Sequence, residues 1–152
     1  MFNNSIDTKE IFIRPDGVKI RDLTQTMFEC FNSYPGFCIP CDIYSASINN
    51  NIISCAVVSS SQNILNIPSQ FNDGYLIYNV CTLYKYRRKG LAKSILIMLI
   101  NDLLTLDPKC NIYLEVDIQN TIAYDLYSSL RFEKVGKNEH KNVLYHIMKF
   151  VN

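Results

Sequence analysis

Apolar residues along the chain fall into short runs, many of them alternating with polar residues, which is the pattern typical of strands. The runs that predict strands are residues 11–14, 43–48, 52–58, 75–82, 112–116, 132–135 and 143–150. The second and third runs flank Asn49, Asn50 and Asn51, and this predicts a hairpin because asparagine tolerates positive φ. Residues 75–82 are apolar at nearly every position, which predicts a central strand covered on both faces.

Three further segments repeat apolar residues at the spacing of a helix. They are residues 19–31, 88–106 and 121–130. The second carries a broad apolar stripe, formed by Leu91, Ile95, Leu96, Leu99, Ile100, Leu103, Leu104 and Leu106. In the third, Ile122, Leu126 and Leu130 share a face that predicts core packing. Another face of this third segment combines an amide, a small residue and two phenols: Asn120, Ala123, Tyr124 and Tyr127.

The order of these segments predicts an α/β domain with a single central sheet of mixed direction. The strand at 75–82, the helix at 88–106 and the strand at 112–116 predict a right-handed parallel pairing. We expect helices on both faces of the sheet and a single domain over residues 1–152.

Composition and charge narrow the range of functions. The chain is 48% hydrophobic and 19% charged, which is typical of a globular protein rather than a disordered one. Its formal net charge of +1 lacks the basic excess of a general nucleic-acid binder. The longest apolar run, residues 95–100, is too short to cross a membrane, and residues 1–10 do not resemble a secretory signal. We therefore expect a cytoplasmic protein that binds neither membranes nor nucleic acids.

The chain has six cysteines: Cys30, Cys38, Cys41, Cys55, Cys81 and Cys110. Without a secretory signal, they are expected to be reduced thiols. Cys38 and Cys41 form a CxxC pair, but a zinc site would need a second pair or nearby histidines. Since His140 and His146 lie far along the chain, we expect an ordinary loop here and no metal.

The segment RRKGLA, residues 87–92, separates a predicted strand from the longest predicted helix. We call it the basic turn. A helix N-terminus presents free backbone N–H groups and a positive dipole, and three cationic side chains beside it further favour an anion. Gly90 allows the chain to turn tightly, and Ala92 is too small to block a ligand. The basic turn fits neither the Walker A nor the G-x-G-x-x-G pattern. Two interpretations remain: a solvated helix cap, or a site for another phosphate-bearing cofactor.

The basic turn and the helix after it are followed by a second pattern, NxxAxxLYxxxxF, which begins at Asn120 and ends at Phe132. Together, in this order, the two patterns resemble the GNAT superfamily of N-acetyltransferases, whose acetyl-CoA motif is Q/R-x-x-G-x-G/A. The resemblance covers about residues 75–135. It departs from the family at Arg131, where glycine is usual, and at Tyr84 and Lys85, where a proline is common.

The resemblance implies a GNAT fold in which a splayed pair of parallel strands binds coenzyme A. The backbone of the basic turn would hold the diphosphate, and the end of the preceding strand would pair with the pantetheine arm. Asn120 would bind that arm as well, and Tyr127 would protonate the departing thiolate. The full set of implied cofactor residues is Cys81, Thr82, Leu83, Arg87, Arg88, Lys89, Gly90, Leu91, Ala92, Lys93, Asn120, Ala123 and Tyr127.

The resemblance further implies transfer of an acetyl group from acetyl-CoA to a primary amine in a ternary complex. Glu115 is the expected general base, with Asp117 and Tyr78 as alternatives. A protein N-terminal α-amine is the favoured acceptor. Lysine, a polyamine, an aminoglycoside and a non-catalytic role in binding acyl-CoA remain alternatives. A monomer or a homodimer is expected.

Overall fold

The computed structural model describes Thr26, Glu29, Cys30 and residues 41–152. The strand predicted over residues 11–14, most of the helix predicted over residues 19–31, and Cys38 lie outside the described residues. Thr26, Glu29 and Cys30 are helical. Thr26 Oγ1 donates a hydrogen bond to the carbonyl oxygen of Ile52 at 2.7 Å, which joins this segment to the sheet.

The described residues form a six-stranded sheet of mixed direction. Its strands are β1 (Asp42–Ile48), β2 (Asn51–Ser60), β3 (Gly74–Thr82), β4 (Asn111–Asp117), β5 (Phe132–His140) and β6 (Val143–Phe150). They lie in the order β1-β2-β3-β4-β6-β5, and β3 and β4 are the parallel pair. Helix α1 (Leu91–Leu106) connects β3 to β4, and helix α2 (Thr121–Ser129) connects β4 to β5. The predicted mixed sheet with a strand–helix–strand unit is confirmed.

Two tight turns set the register of the hairpins. Asn49 and Asn50 have φ angles of 49° and 65°, and Lys141 and Asn142 have φ angles of 51° and 62°. Positive φ at both central residues is typical of type I′ turns, whose twist matches that of the paired strands. The hairpin predicted from the three asparagines is confirmed, although Asn51 already belongs to β2.

Strand β5 is longer than the pattern over residues 132–135 predicted. Its second half, GKNEH, contains no apolar residue, so hydrophobic periodicity could not detect it. Among the described strands β5 lies at the edge of the sheet and pairs with β6 alone, and its ladder continues to the His140↔Val143 pair beside the turn. The backbone pairing that the turn imposes, rather than burial of side chains, extends this strand.

The two faces of the sheet are packed differently. On one face, which we call the α1 face, α1 and α2 cover a large core that includes Ile77, Leu114 and Met148. The opposite face carries two smaller clusters. Cys30, from the helical segment, packs on one of them, and residues 64–71 cover the other. Helical residues therefore lie on both faces, as predicted.

Helix α1 starts later than the sequence predicted and ends at the predicted residue, Leu106. It begins at Leu91 rather than at residue 88, because Arg88 and Gly90 have φ angles of 60° and 77° and cannot continue a right-handed helix. The stripe is buried at Leu91, Ile95, Leu96, Leu99, Ile100 and Leu103. The placement of Leu106 in that stripe is wrong, since it is the last helical residue and 78% exposed.

The predicted core face of α2 is wrong at Ile122. This residue lies in the first turn and is 74% exposed, whereas Tyr127 is 7% exposed. Ala123 and Tyr124 are half-buried against the same core, together with Leu126. The face that combines small and phenolic residues therefore packs on the sheet, and Tyr127 anchors the helix to it.

Candidate active site

Strands β3 and β4 pair over only part of their length. Their parallel register runs from Gly74↔Asn111 to Ile77↔Leu114 and stops there. Gly74 permits close approach at the start, because a Cβ atom at this position would lie 2.1 Å from the carbonyl oxygen of Asn111. Residues 78–82 of β3 then have no partner in β4, which leaves a gap between the two strands. The splayed parallel pair is confirmed.

A β-bulge in β3 lies beside this gap. Asn79 and Val80 together occupy the position opposite Ala56 of β2, and Asn79 has a φ angle of 50°. An extra residue of this kind bends a strand and increases its local twist. The expectation that residues 75–82 are covered on both faces is therefore wrong, because residues 78–80 are only half-buried where the gap opens.

The basic turn leads from β3 into α1 and leaves backbone N–H groups unused. No side chain of the residues that the structure describes caps α1. Its first hydrogen bond runs from the Ser94 N–H to the carbonyl oxygen of Gly90, at 3.0 Å. The N–H groups of residues 91–93 consequently have no carbonyl partner in the described chain. A ligand with several acceptor oxygens can replace the missing cap.

The cations of the basic turn divide into two kinds. Arg87 Nε donates a hydrogen bond to the carbonyl oxygen of Thr82 at 2.9 Å, and its guanidinium lies 5.7 Å from the centre of the Tyr84 ring. Arg87 therefore stabilises the turn itself. Arg88 and Lys89, together with Lys93 just after the basic turn, are exposed beside the first turn of α1.

The end of β3 presents one backbone N–H group to the gap. The Leu83 N–H donates to the carbonyl oxygen of Ile53 at 2.9 Å, and Ser54 Oγ donates to the carbonyl oxygen of Cys81 at 2.9 Å. Both groups are thus directed toward β2. Because backbone groups alternate in direction along an antiparallel strand, the Thr82 N–H is directed the other way, into the gap.

Tyr127 lies on the α1 face and packs edge-on against Phe132, with ring centres 6.3 Å apart. It shares the core with Leu91, the first residue of α1. Burial raises the pKa of Tyr127 to about 12. The phenol is therefore fully protonated at neutral pH and available as a hydrogen-bond donor.

Asn120 is the N-cap of α2. Its Oδ1 accepts a hydrogen bond from the Ala123 N–H at 3.2 Å, so the side-chain carbonyl is occupied by the helix itself. The side-chain amide N–H groups remain as donors. Arg131, which replaces the usual glycine after α2, has a φ angle of 70° and its guanidinium lies 6.0 Å from the centre of the Phe150 ring. The difference from the family at Arg131 therefore affects the backbone at the end of α2.

Glu115 lies on the face opposite α1 and is held by residues that the sequence did not reveal. Its Oε1 accepts a hydrogen bond from Asn138 Nδ2 at 2.7 Å, and its Oε2 lies 3.6 Å from His140 Nε2. The His140 ring stacks on Tyr145, with ring centres 4.5 Å apart and 9° between the planes. We call Glu115, Asn138, His140 and Tyr145 the Glu115 cluster. No strand was predicted over residues 136–140, so nothing in the sequence indicated that Asn138 and His140 lie beside Glu115.

The two alternative bases have partners of their own. Asp117 Oδ1 accepts a hydrogen bond from the Gln119 N–H at 2.9 Å, so this carboxylate stabilises the turn after β4. The Tyr78 hydroxyl lies 3.0 Å from Ser59 Oγ on the neighbouring strand. Glu115 alone among the three contacts the Asn138 amide and the His140 imidazole.

The described cysteines are free thiols. Cys55 and Cys81 face each other across β2 and β3 with sulfur atoms 3.4 Å apart, and both are buried. In residues 41–152, together with Thr26, Glu29 and Cys30, there is no group of three His, Cys, Asp or Glu side chains arranged to hold a metal ion. The same residues contain no helix that is long and apolar enough to span a membrane.

Comparisons with solved structures match the fold. The ribosomal-protein-S18-alanine N-acetyltransferase of Escherichia coli superposes with a TM-score of 0.73 and 16% identity, covering 92% of each chain. Arabidopsis thaliana NAA60 in complex with acetyl-CoA superposes with a TM-score of 0.65 and 18% identity, covering 92% of this chain and 97% of the other. Both structures superpose over most of their length at low sequence identity, which establishes the fold.

Sequence comparisons identify the family. An N-alpha-acetyltransferase of Saccharolobus solfataricus is 36% identical over 73 residues, which is 48% of this chain and 43% of that protein. The chain therefore matches less than half the length of this relative. The model of the acetyltransferase (GNAT) family matches residues 8–132. The chain belongs to the acetyltransferase (GNAT) family.

Proposed function

We propose that this protein transfers the acetyl group of acetyl-CoA to a protein N-terminal α-amine by direct attack in a ternary complex. The observation that carries the proposal is the gap between β3 and β4. The basic turn and Tyr127 lie on one side of this gap, and Glu115 lies on the opposite face of the sheet. A donor and an acceptor could therefore enter from opposite faces and meet between the strands.

The basic turn supports coenzyme A as the donor. The unused N–H groups of residues 91–93 suit the diphosphate oxygens, and Arg88, Lys89 and Lys93 add positive charge around them. The Thr82 N–H would pair with the pantetheine arm or the thioester oxygen, and the Asn120 amide would donate to the arm. The path of the arm would be fixed by the backbone on either side of Thr82, which Cys81 and Leu83 anchor to β2 and Arg87 holds through the Thr82 carbonyl oxygen.

The reaction needs the amine to lose two protons. The first would leave the ammonium through the Glu115 carboxylate before the nitrogen attacks the thioester carbon. The N–H of Thr82 would stabilise the negative charge that develops on the carbonyl oxygen. The C–S bond then breaks, and the second amine proton ends on the sulfur of coenzyme A.

The structure sharpens the role proposed for Tyr127. A thiol has a pKa of about 8.5, so full proton transfer to the thiolate from a phenol of pKa about 12 would be uphill by roughly 5 kcal/mol. We therefore assign Tyr127 a hydrogen bond to the departing sulfur. Such a bond stabilises the charge as it develops and leaves the phenol protonated.

The α-amine is favoured over lysine because of its lower pKa. Deprotonating lysine at pH 7 costs about 4–5 kcal/mol, and deprotonating an α-amine costs about 1 kcal/mol. The half-buried Glu115 carboxylate is a sufficient base for deprotonating an α-amine. The names of the related proteins, an N-alpha-acetyltransferase and a ribosomal-protein-S18-alanine N-acetyltransferase, support the same acceptor class. We also propose a cytoplasmic location, since the described cysteines are free thiols.

The proposal is tested by measuring release of coenzyme A in the presence of N-terminal peptides, internal lysine peptides and small amines. The expected result is fastest turnover with a free peptide N-terminus and none with the same peptide already acetylated. Faster turnover with lysine peptides, a polyamine or an aminoglycoside would assign a different acceptor. Tight binding of coenzyme A without turnover on any amine would favour a non-catalytic protein. Sedimentation of the same sample distinguishes a monomer from a homodimer.

A further inference from the structure

We infer that Asn138 and His140 are positioning residues that hold the Glu115 carboxylate in place for the acceptor amine, an inference that rests on the proposed function. Neither residue belongs to the patterns that indicate the family, and neither contacts the basic turn in the described chain. Both lie on β5, which is separated from β4 by β6.

The geometry assigns one contact to each oxygen of Glu115. Asn138 Nδ2 donates to Oε1 at 2.7 Å, and His140 Nε2 lies 3.6 Å from Oε2. Asn138 and His140 are alternate residues of β5 and therefore project from the same face of the sheet. The two contacts together oppose rotation of the carboxylate about its last side-chain bond. Each oxygen keeps a further lone pair with which it can accept a proton from an ammonium.

The surroundings restrict the movement of these two side chains. The same Asn138 Nδ2 also donates to the carbonyl oxygen of Asn66 at 2.7 Å, so the amide is held between a loop and Glu115. The His140 imidazole is held flat against Tyr145. Its Nδ1 is buried and has no partner in the described chain. Stacking on Tyr145 therefore holds the ring in a plane in which its Nε2 faces the Glu115 carboxylate.

The charges of the site suit a cationic acceptor. The groups that surround Glu115 are Asp117 on β4, Tyr145 on β6, Asn138 and His140 on β5, and the Asn66 carbonyl of the loop. Within residues 41–152, neither Glu115 nor Asp117 forms an ion pair with a lysine or an arginine. An incoming ammonium would thus meet negative charge that is oriented but not neutralised.

Two substitutions of His140 distinguish a positioning role from a purely structural role, because the two roles predict opposite rankings of kcat. His140→Phe keeps an aromatic ring against Tyr145 but removes the nitrogen that faces Glu115. His140→Gln loses the stacking but keeps an N–H donor of similar reach. If His140 positions Glu115, the Phe variant should lose about 10-fold in kcat and the Gln variant less. If His140 only packs, the Gln variant should be the more impaired.

Asn138 is tested through its direct contact with Glu115. Asn138→Asp should place two carboxylates against each other and lower the midpoint of thermal unfolding. Combining it with Glu115→Gln should recover much of that loss, because the new amide can donate to the new carboxylate. This readout does not depend on activity. An equal loss in both backgrounds would show that Asn138 acts on the Asn66 loop and not on Glu115.

The matched control is Glu139→Gln. Glu139 lies between the two positioning residues on β5, but it is exposed and alternates to the other face. Its kcat should equal that of the wild type, and the KM for acetyl-CoA should be the same in every variant. If the wild type turns over but His140→Gln has a lower kcat than His140→Phe, this inference is overturned and the proposed function stands. No wild-type turnover on any amine would overturn the proposed function and this inference with it.

Discussion

The two sides of the gap between β3 and β4 are built in different ways. We call the side of the basic turn, where we propose that coenzyme A binds, the cofactor side. The basic turn is one continuous segment, and the N–H groups of residues 91–93 after it have no carbonyl partner in the described chain. We call the side of Glu115, where we propose that the amine binds, the acceptor side, and there Glu115 contacts Asn138, 23 residues later, across an intervening strand. A local segment can thus leave N–H groups free, whereas an oriented carboxylate needs strands that are distant along the chain.

The largest expected effect is on the acceptor side. Glu115→Gln keeps the shape of the side chain but removes the proton acceptor, so kcat should fall on the order of 100-fold. Coenzyme A affinity, measured by calorimetry, should not change, because Glu115 lies on the face away from the basic turn. A loss of affinity in this variant would mean that the two sides are not independent.

Tyr127→Phe should lower kcat by about 10-fold, because the departing sulfur loses a hydrogen-bond donor. Tyr124→Phe, on the same helix, is the control and should leave kcat near the wild-type value. Steady-state kinetics with a saturating peptide measures both. An unchanged kcat in Tyr127→Phe would remove this residue from the mechanism.

Tyr127 should also make the folded state sensitive to alkaline pH. Its pKa is raised to about 12 by burial, and an unfolded tyrosine has a pKa of about 10. The unfolded state therefore releases this proton first, and the stabilisation is complete below pH 10 and is lost as the pH rises toward 12. At pH 11 the loss from this residue is about 1 kcal/mol. Urea unfolding at pH 9 and pH 11 should show a smaller difference in Tyr127→Phe than in the wild type.

Gly90→Ala should affect the cofactor side alone. A Cβ atom at Gly90 would meet no atom within 4 Å, so the cost is backbone strain at a φ angle of 77°. That strain is about 1 kcal/mol, which predicts a rise of about 5-fold in the KM for acetyl-CoA with kcat unchanged. Gly136→Ala is the contrast, since its Cβ would lie 2.9 Å from the Phe71 ring. It should lower the unfolding midpoint without changing that KM.

The smallest expected effect is on stability and should leave both sides of the gap intact. Arg131→Gly relieves a φ angle of 70° after α2 and should raise the free energy of unfolding by about 0.5–1 kcal/mol. Arg131→Ala removes the same contact with Phe150 without relieving the backbone, and it should not stabilise the protein. Chemical denaturation distinguishes the two variants, and their kcat values should match the wild type.

The difference between a local segment and a contact across strands also explains which features of the fold and the site the sequence could predict. The strands, α1 and the basic turn are visible because periodicity and glycine placement are local properties. Ile122 was misplaced because helical spacing defines faces but does not say which one meets the sheet. The second half of β5 was missed because an edge strand needs few apolar residues. Asn138 and His140 could not be paired with Glu115 before the order β4-β6-β5 was known.

The bulge at Asn79 makes the length of β3 as important as its composition. Ile77 and Val80, three residues apart, both contact the core of the α1 face, whereas strict alternation would place them on opposite faces. Deleting Asn79 would remove the extra residue and pair Val80 alone with Ala56, so Val80 and Cys81 would stay on their present faces. What the deletion would remove is the bend and the added twist that a bulge gives to a strand, at the point where β3 leaves β4. In this strand a single deletion would therefore change the shape of the gap while every side chain kept its face.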